Sequence, residues 1–97
     1  MSDLRTPEVD NLAFALAKLD VPDIIFALLE DMCTIREIKE TSQRLDVARL
    51  LAAGKSYSAI EQITGASATT IARVSKCLSY GSGGYAAALA ILEEKNA

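Results

Sequence analysis

A chain of 97 residues and 10.4 kDa fits a single domain and excludes a multi-domain enzyme, because domains run to roughly 100–200 residues. It is 51% hydrophobic but only 5% aromatic, with no Trp, so its apolar content is mostly Ala, Leu, Ile and Val and points to an all-α fold. Its net charge of −3 is unevenly spread: residues 1–33 set two cations against seven carboxylates, whereas residues 34–80 carry seven cations against four, the balance of a protein whose middle meets a polyanion while the rest stays off it.

Thr6-Pro7 opens the first predicted helix, Thr as cap and Pro at the first helical position, where its missing N–H costs nothing. Val9, Leu12, Ala13, Leu16, Ala17 and Leu19 give it an apolar stripe. Asp20-Val21-Pro22 breaks it and is expected to cap a second helix, Asp23 to Met32, apolar on most sides and so suited to burial from several directions. Thr34-Ile35-Arg36-Glu37 is a capping box that starts the longest helix at Ile35. Its core face is read as Ile38, Leu45, Ala48, Leu51 and Ala52, up to Gly54, placed where a left-handed C-terminal residue belongs. Ser58 with Glu61 reads as another capping box for a short helix ending at Gly65. Ala66-Ser67 caps one more, from Ala68 to about Ser79, with Ile71, Val74 and Leu78 facing inward. Tyr80 to Gly84 is a Gly-rich flexible break, and Tyr85 to Glu94 a final short helix.

Most chemistries find no residues to carry them. With no His and only Cys33 and Cys77, the usual zinc spacings and a disulfide framework are absent, and both cysteines read as packing residues. The Gly-rich break lacks a preceding strand and the Gly-Lys-Ser/Thr ending of a phosphate cradle. There is no paired-carboxylate motif or activated nucleophile, so no enzyme and no cofactor is expected. No basic cluster precedes an apolar stretch at the N-terminus, and the apolar runs Ile24 to Leu29 and Tyr85 to Leu92 fall far short of the roughly 20 residues of a spanning helix. The expected location is the cytoplasm. A lone domain of this size leaves roughly a third of its unfolded-chain surface exposed, so this much apolar side chain calls for self-association.

Lys55 to Leu78 carries the order of a helix-turn-helix: a short helix with Ile60 and Ile63 inward, a turn at Gly65, a cap at Ser67, and Ile71 locking the second helix to the first. The free side of that second helix holds Ser67, Thr69, Thr70, Ala72, Arg73 and Lys76. Hydroxyls at its tip suit phosphates, and Arg73 is long enough to reach a base edge in a major groove. These six, with Lys55, are the candidate DNA contacts. Glu61 is a departure from the common pattern, which has Ala at the crossing position four before the turn glycine, and its carboxylate would weaken phosphate binding. The competing reading is a protein-interaction module without DNA binding, presenting its acidic N-terminal face or its last helix.

Gln43-Arg44-Leu45-Asp46-Val47-Ala48-Arg49-Leu50-Leu51, Gly54-Lys55-Ser56-Tyr57, Thr64-Gly65-Ala66-Ser67 and Ile71-Ala72-Arg73-Val74 together resemble the Trp repressor superfamily, most closely its YerC/YecD branch, which is similar through Leu78 to Tyr85. The resemblance spans about Val9 to Leu92. It implies an intertwined helical homodimer, with dimerisation helices over 6–54, a helix-turn-helix over 55–79, and the break and C-terminal helix over 80–97, all within one domain. A double-stranded DNA partner and a repressor role follow from the same likeness. It further implies a tryptophan site in which Arg44 and Arg73 sandwich the indole and Thr34 lines the ammonium side. Two positions depart: Val74 stands where Trp repressor has glycine, and Cys77 where it has a serine that holds the ligand's amino group. A branched side chain closes the open face, and a thiol is a weaker polar partner than a hydroxyl. Tryptophan binding is therefore not expected.

Overall fold

The computed structural model describes residues 4–96 and consists, among them, of six helices and no strand: α1 (Pro7–Leu19), α2 (Pro22–Met32), α3 (Ile35–Ala52), α4 (Tyr57–Thr64), α5 (Ala68–Tyr80) and α6 (Gly84–Lys95). No helix among the described residues is long and apolar enough to cross a membrane. Contacts divide the chain into two units, Met1–Ile38 and Lys39–Ala97.

In the first unit α1 and α2 contact one another. The Thr6 hydroxyl accepts from the Val9 N–H at 3.2 Å, as the Thr-Pro signal predicts. Within the Asp20-Val21-Pro22 break, Asp20 ends α1, at φ 56°, a left-handed conformation that Asp adopts more readily than most non-glycine residues, and Val21 takes the cap position of α2. α2 begins with Pro22 at its first position after an extended Val21 whose side chain cannot cap. None of the unit's described side chains is buried, although Val9, Leu12, Phe14, Ile24, Phe26, Met32 and Ile35 all belong to it. Apolar helices with no buried side chain gain little of the roughly 1.5–3 kcal/mol that each fully buried large residue contributes.

The Thr34 capping box forms as read, the Glu37 N–H donating to Thr34 Oγ1 at 3.1 Å and the Thr34 N–H to Glu37 Oε1 at 2.8 Å. Gly54, at φ 84°, ends α3 by donating to the Leu51 carbonyl while the Lys55 N–H reaches Leu50, the paired bonds of a Schellman motif. The core of the second unit is Val47, Ala48, Leu50, Ile60, Ala66, Ile71 and Val74, with Leu51, Tyr85 and Leu89 packed against it. The face of α3 is thus shifted from the sequence reading. Ala52 is exposed because the last turn of α3 borders an open groove, lined also by Ala53, Leu89 and Leu92, instead of a packed neighbour. Ile38 and Leu45 are half-buried.

Two further corrections concern α4. Its cap is Ser56, whose hydroxyl accepts from the Ala59 N–H at 3.1 Å, and Ser58 lies inside the helix, so the Ser58-Glu61 box does not form. Ile60 is fully buried but Ile63 is 58% exposed. The two lie 60° apart around the axis, and angular position alone does not secure cover in a last turn.

Between α5 and α6 the break is three residues long. Gly83 takes φ 89° ahead of α6, and the Gly81 N–H bonds the Cys77 carbonyl at 2.8 Å. A Cβ on Gly81 would press on that carbonyl oxygen and stand only 3.0 Å from its carbon, whereas one on Gly84 meets nothing within 4 Å. Gly81→Ala is therefore expected to cost about 1–3 kcal/mol, the range of forced overpacking, while Gly84→Ala is neutral or gains up to about 1 kcal/mol. Urea denaturation at matched protein concentration measures both.

Candidate nucleic-acid interface and the adjoining cleft

The orientation of α5 follows from its burial pattern. Ile71 and Val74 are sealed into the core beside Ile60, and Leu78 is half-buried, so the opposite side must face out. Thr69, Ala72, Arg73 and Lys76 all lie there, exposed, at three- and four-residue steps. Glu61 is exposed on α4. Lys55 is exposed at the connection from α3 to α4, its side chain leaving from the Schellman turn.

The turn that sets α5 is held at several points. Gly65 takes φ 77° and donates to the Glu61 carbonyl at 2.9 Å. Thr64 Oγ1 donates to the Ile60 carbonyl at 2.7 Å and accepts from the Ala66 N–H at 3.1 Å, which keeps Ala66 against the core. Ser67 then caps α5, accepting from the Thr70 N–H at 3.2 Å, while its own hydroxyl donates to Thr70 Oγ1 at 3.2 Å. Ser67 is exposed and Thr70 half-buried, so the hydroxyls read as DNA contacts also serve the helix end.

Behind this face lies an open cleft of about 160 Å³, lined by Arg44 from α3, Thr70, Arg73, Val74 and Cys77 from α5, and Tyr85 from α6. Three of the four residues read as a ligand site, Arg44, Arg73 and Cys77, are brought together there. Two guanidinium groups with a hydroxyl, a thiol and a phenol, and no carboxylate among the lining side chains, suit an anionic or planar group. Val74, only 2% exposed, closes the cleft from below with a branched side chain. Arg44 Nη2 donates to Thr41 Oγ1 at 3.4 Å. Thr34 belongs to the first unit, where its hydroxyl is engaged by the Glu37 N–H.

Two residues at this site escape the sequence reading. Tyr85 reaches the cleft because the three-residue break returns the chain directly into α6, so that Tyr85 packs back on the core; the similarity that runs to Tyr85 is the signal for it. Gln43, half-buried on α3, donates through Nε2 to the Thr64 carbonyl at 3.1 Å, across 21 residues of sequence. Nothing local in the sequence marks that bond.

The profile of the Trp repressor protein family matches residues 7–93. The chain is 43% identical over 91 residues to the uncharacterised protein YerC of Bacillus subtilis (strain 168), covering 94% of this chain and 88% of that protein. A crystal structure of a TrpR-like protein from Eubacterium eligens superposes with a TM-score of 0.90 at 39% identity, over 96% of each chain. One from Staphylococcus aureus, described as a candidate Trp repressor, superposes with a TM-score of 0.88 at 36% identity, over 95% of this chain and 92% of the other.

The capping geometry separates two of the hydroxyl residues. Ser67→Ala removes the acceptor for an N–H of the first turn of α5 and should cost about 0.5–2 kcal/mol in urea denaturation. Thr69→Ala, on the open side of the helix, should stay within about 0.5 kcal/mol of the parent.

Proposed function

This chain belongs to the Trp repressor protein family, and we propose that it is a cytoplasmic, homodimeric, sequence-specific DNA-binding repressor that reads the major groove with α5. The observation that carries this reading is the outward row on that helix: Thr69, Ala72, Arg73 and Lys76 exposed opposite the buried Ile71 and Val74. Ser67 and Thr70 at the helix N-terminus, with Lys55, supply phosphate contacts, and Arg73 reaches a base edge.

The dimer is supported by the first unit, none of whose described apolar side chains is buried and many of whose large ones, Phe14 and Phe26 among them, are exposed. Residues 6–54 supply the dimerisation helices, 55–79 the helix-turn-helix, and 80–97 the closing helix of one domain. Paired helix-turn-helix units address successive major grooves about 34–36 Å apart, so the operator is a palindrome with that half-site spacing. Binding is independent of tryptophan, since Val74 fills the floor of the cleft and Cys77 offers it only a thiol.

Selection of bound sequences from a random duplex pool, with and without tryptophan, tests reader and ligand together. A palindromic consensus recovered equally in both arms supports the proposal; an unenriched pool overturns it. On the selected site, Arg73→Ala should weaken binding by an amount on the order of 1–3 kcal/mol and relax preference at one position. Affinity should also fall steeply between about 50 and 200 mM salt as counterions displaced from phosphates are recovered.

A further inference from the structure

Among the described residues most of the side-chain hydrogen bonds are local, joining residues no more than five positions apart. Gln43 differs in joining two structural elements, α3 and the C-terminus of α4, by the bond from Nε2 to the Thr64 carbonyl. The last carbonyls of a helix have no partner within it, and two of those of α4 are met from outside: Glu61 by the Gly65 N–H and Thr64 by Gln43, while the Thr64 hydroxyl adds a bond to the Ile60 carbonyl one turn back. Thr64 is also the residue whose hydroxyl receives the Ala66 N–H. One side chain on α3 is therefore tied, through a single residue, to the turn from which α5 departs.

Position on the helix makes this tie directional. Gln43, Val47 and Leu50 lie at four- and three-residue steps, on the face of α3 that contributes to the core shared with Ile60, Ile71 and Val74. Apolar packing at Val47 and Leu50 holds α3 against the hairpin, and the Gln43 bond adds to it a contact with a direction, from one donor to one named acceptor. Gln43 adds the angular constraint at the outer end of that stripe. Its neighbour Arg44 faces the cleft with Arg73, so a change in the tilt at Gln43 also moves the two guanidinium groups relative to each other.

We propose that Gln43 is a positioning residue for DNA recognition: its bond to the Thr64 carbonyl sets the angle at which α5 is presented, and thereby sequence discrimination. The inference rests on the DNA-binding reading above. Because Nε2 cannot be removed from a backbone acceptor without changing the donor, the test is Gln43→Met, which keeps length and helix preference and loses the N–H. Leu89→Ala serves as the control for loss of packing alone, since Leu89 sits on α6 against the core and away from the outward row of α5.

Two measurements are made on the full-length chain. Amide hydrogen exchange in the free protein should show faster exchange at Gly65, Ala66 and Ser67 in Gln43→Met, by about tenfold, with α6 unchanged. Binding to the selected duplex and to a scrambled duplex of equal length should show the preference between them reduced at least tenfold, with scrambled-duplex affinity and its salt dependence unaltered. Leu89→Ala should lower the melting temperature and leave that preference intact. Unchanged exchange at the turn overturns the clamp; a loosened turn with intact preference overturns its role in recognition. A parent chain that prefers no duplex over any other brings down the regulator reading itself, and this inference with it, an outcome visible before any variant is made.

Discussion

The interlock of Ile60 with Ile71 and Val74, closed on the other side by Val47 and Leu50, is the constraint from which the rest follows. A 13-residue helix has no preferred face toward solvent until one of its sides is taken. Once Ile71 and Val74 are sealed, the positions of Thr69, Ala72, Arg73 and Lys76 are determined by helical geometry alone. The turn contributes by allowing the two helices to meet at that contact. Gly65 supplies the positive φ, and Thr64 and Ser67 absorb the polar groups that a sharp reversal would otherwise strand.

The first unit obeys a different logic. Its helices are well capped and well formed, yet they bury no described side chain, and the second unit alone holds the core. Local signals therefore suffice to make α1 and α2 helical but not to stabilise them, since most helical stability in proteins comes from packing an apolar face. The charge division along the chain follows the same boundary closely: the acidic third coincides with the coreless unit and the basic stretch with the hairpin and its supporting helix.

What was legible in the sequence was local and stereochemical. The Thr34-Glu37 box, the positive φ of Gly54 and Gly65, the Ser67 cap and the inward face of α5 depend on residues within one or two turns of each other, and each is observed. Ser56 and Ser58 show where that kind of reading stops. Both precede a plausible first turn, and the choice between them depends on where the α3 Schellman motif releases the chain, which leaves Ser56 extended and capping. Ile63 and Ala52 escaped because spacing gives an angle around a helix but not the extent of its neighbour. Tyr85 and Gln43 escaped because their partners lie far off in sequence. The cleft was legible only by resemblance: Arg44 and Arg73 are 29 positions apart, and no periodicity relates them.

One detail at the head of α5 has a consequence for its chemistry. The Ser67 hydroxyl holds two contacts with one residue, accepting from the Thr70 N–H and pairing with the Thr70 hydroxyl, each at 3.2 Å. Thr70, the other half of that hydroxyl pair, lines the cleft. Two hydroxyls that share one hydrogen bond have one hydrogen left between them, so the pair has a single O–H to give, at a helix end that flanks the cleft holding both arginines.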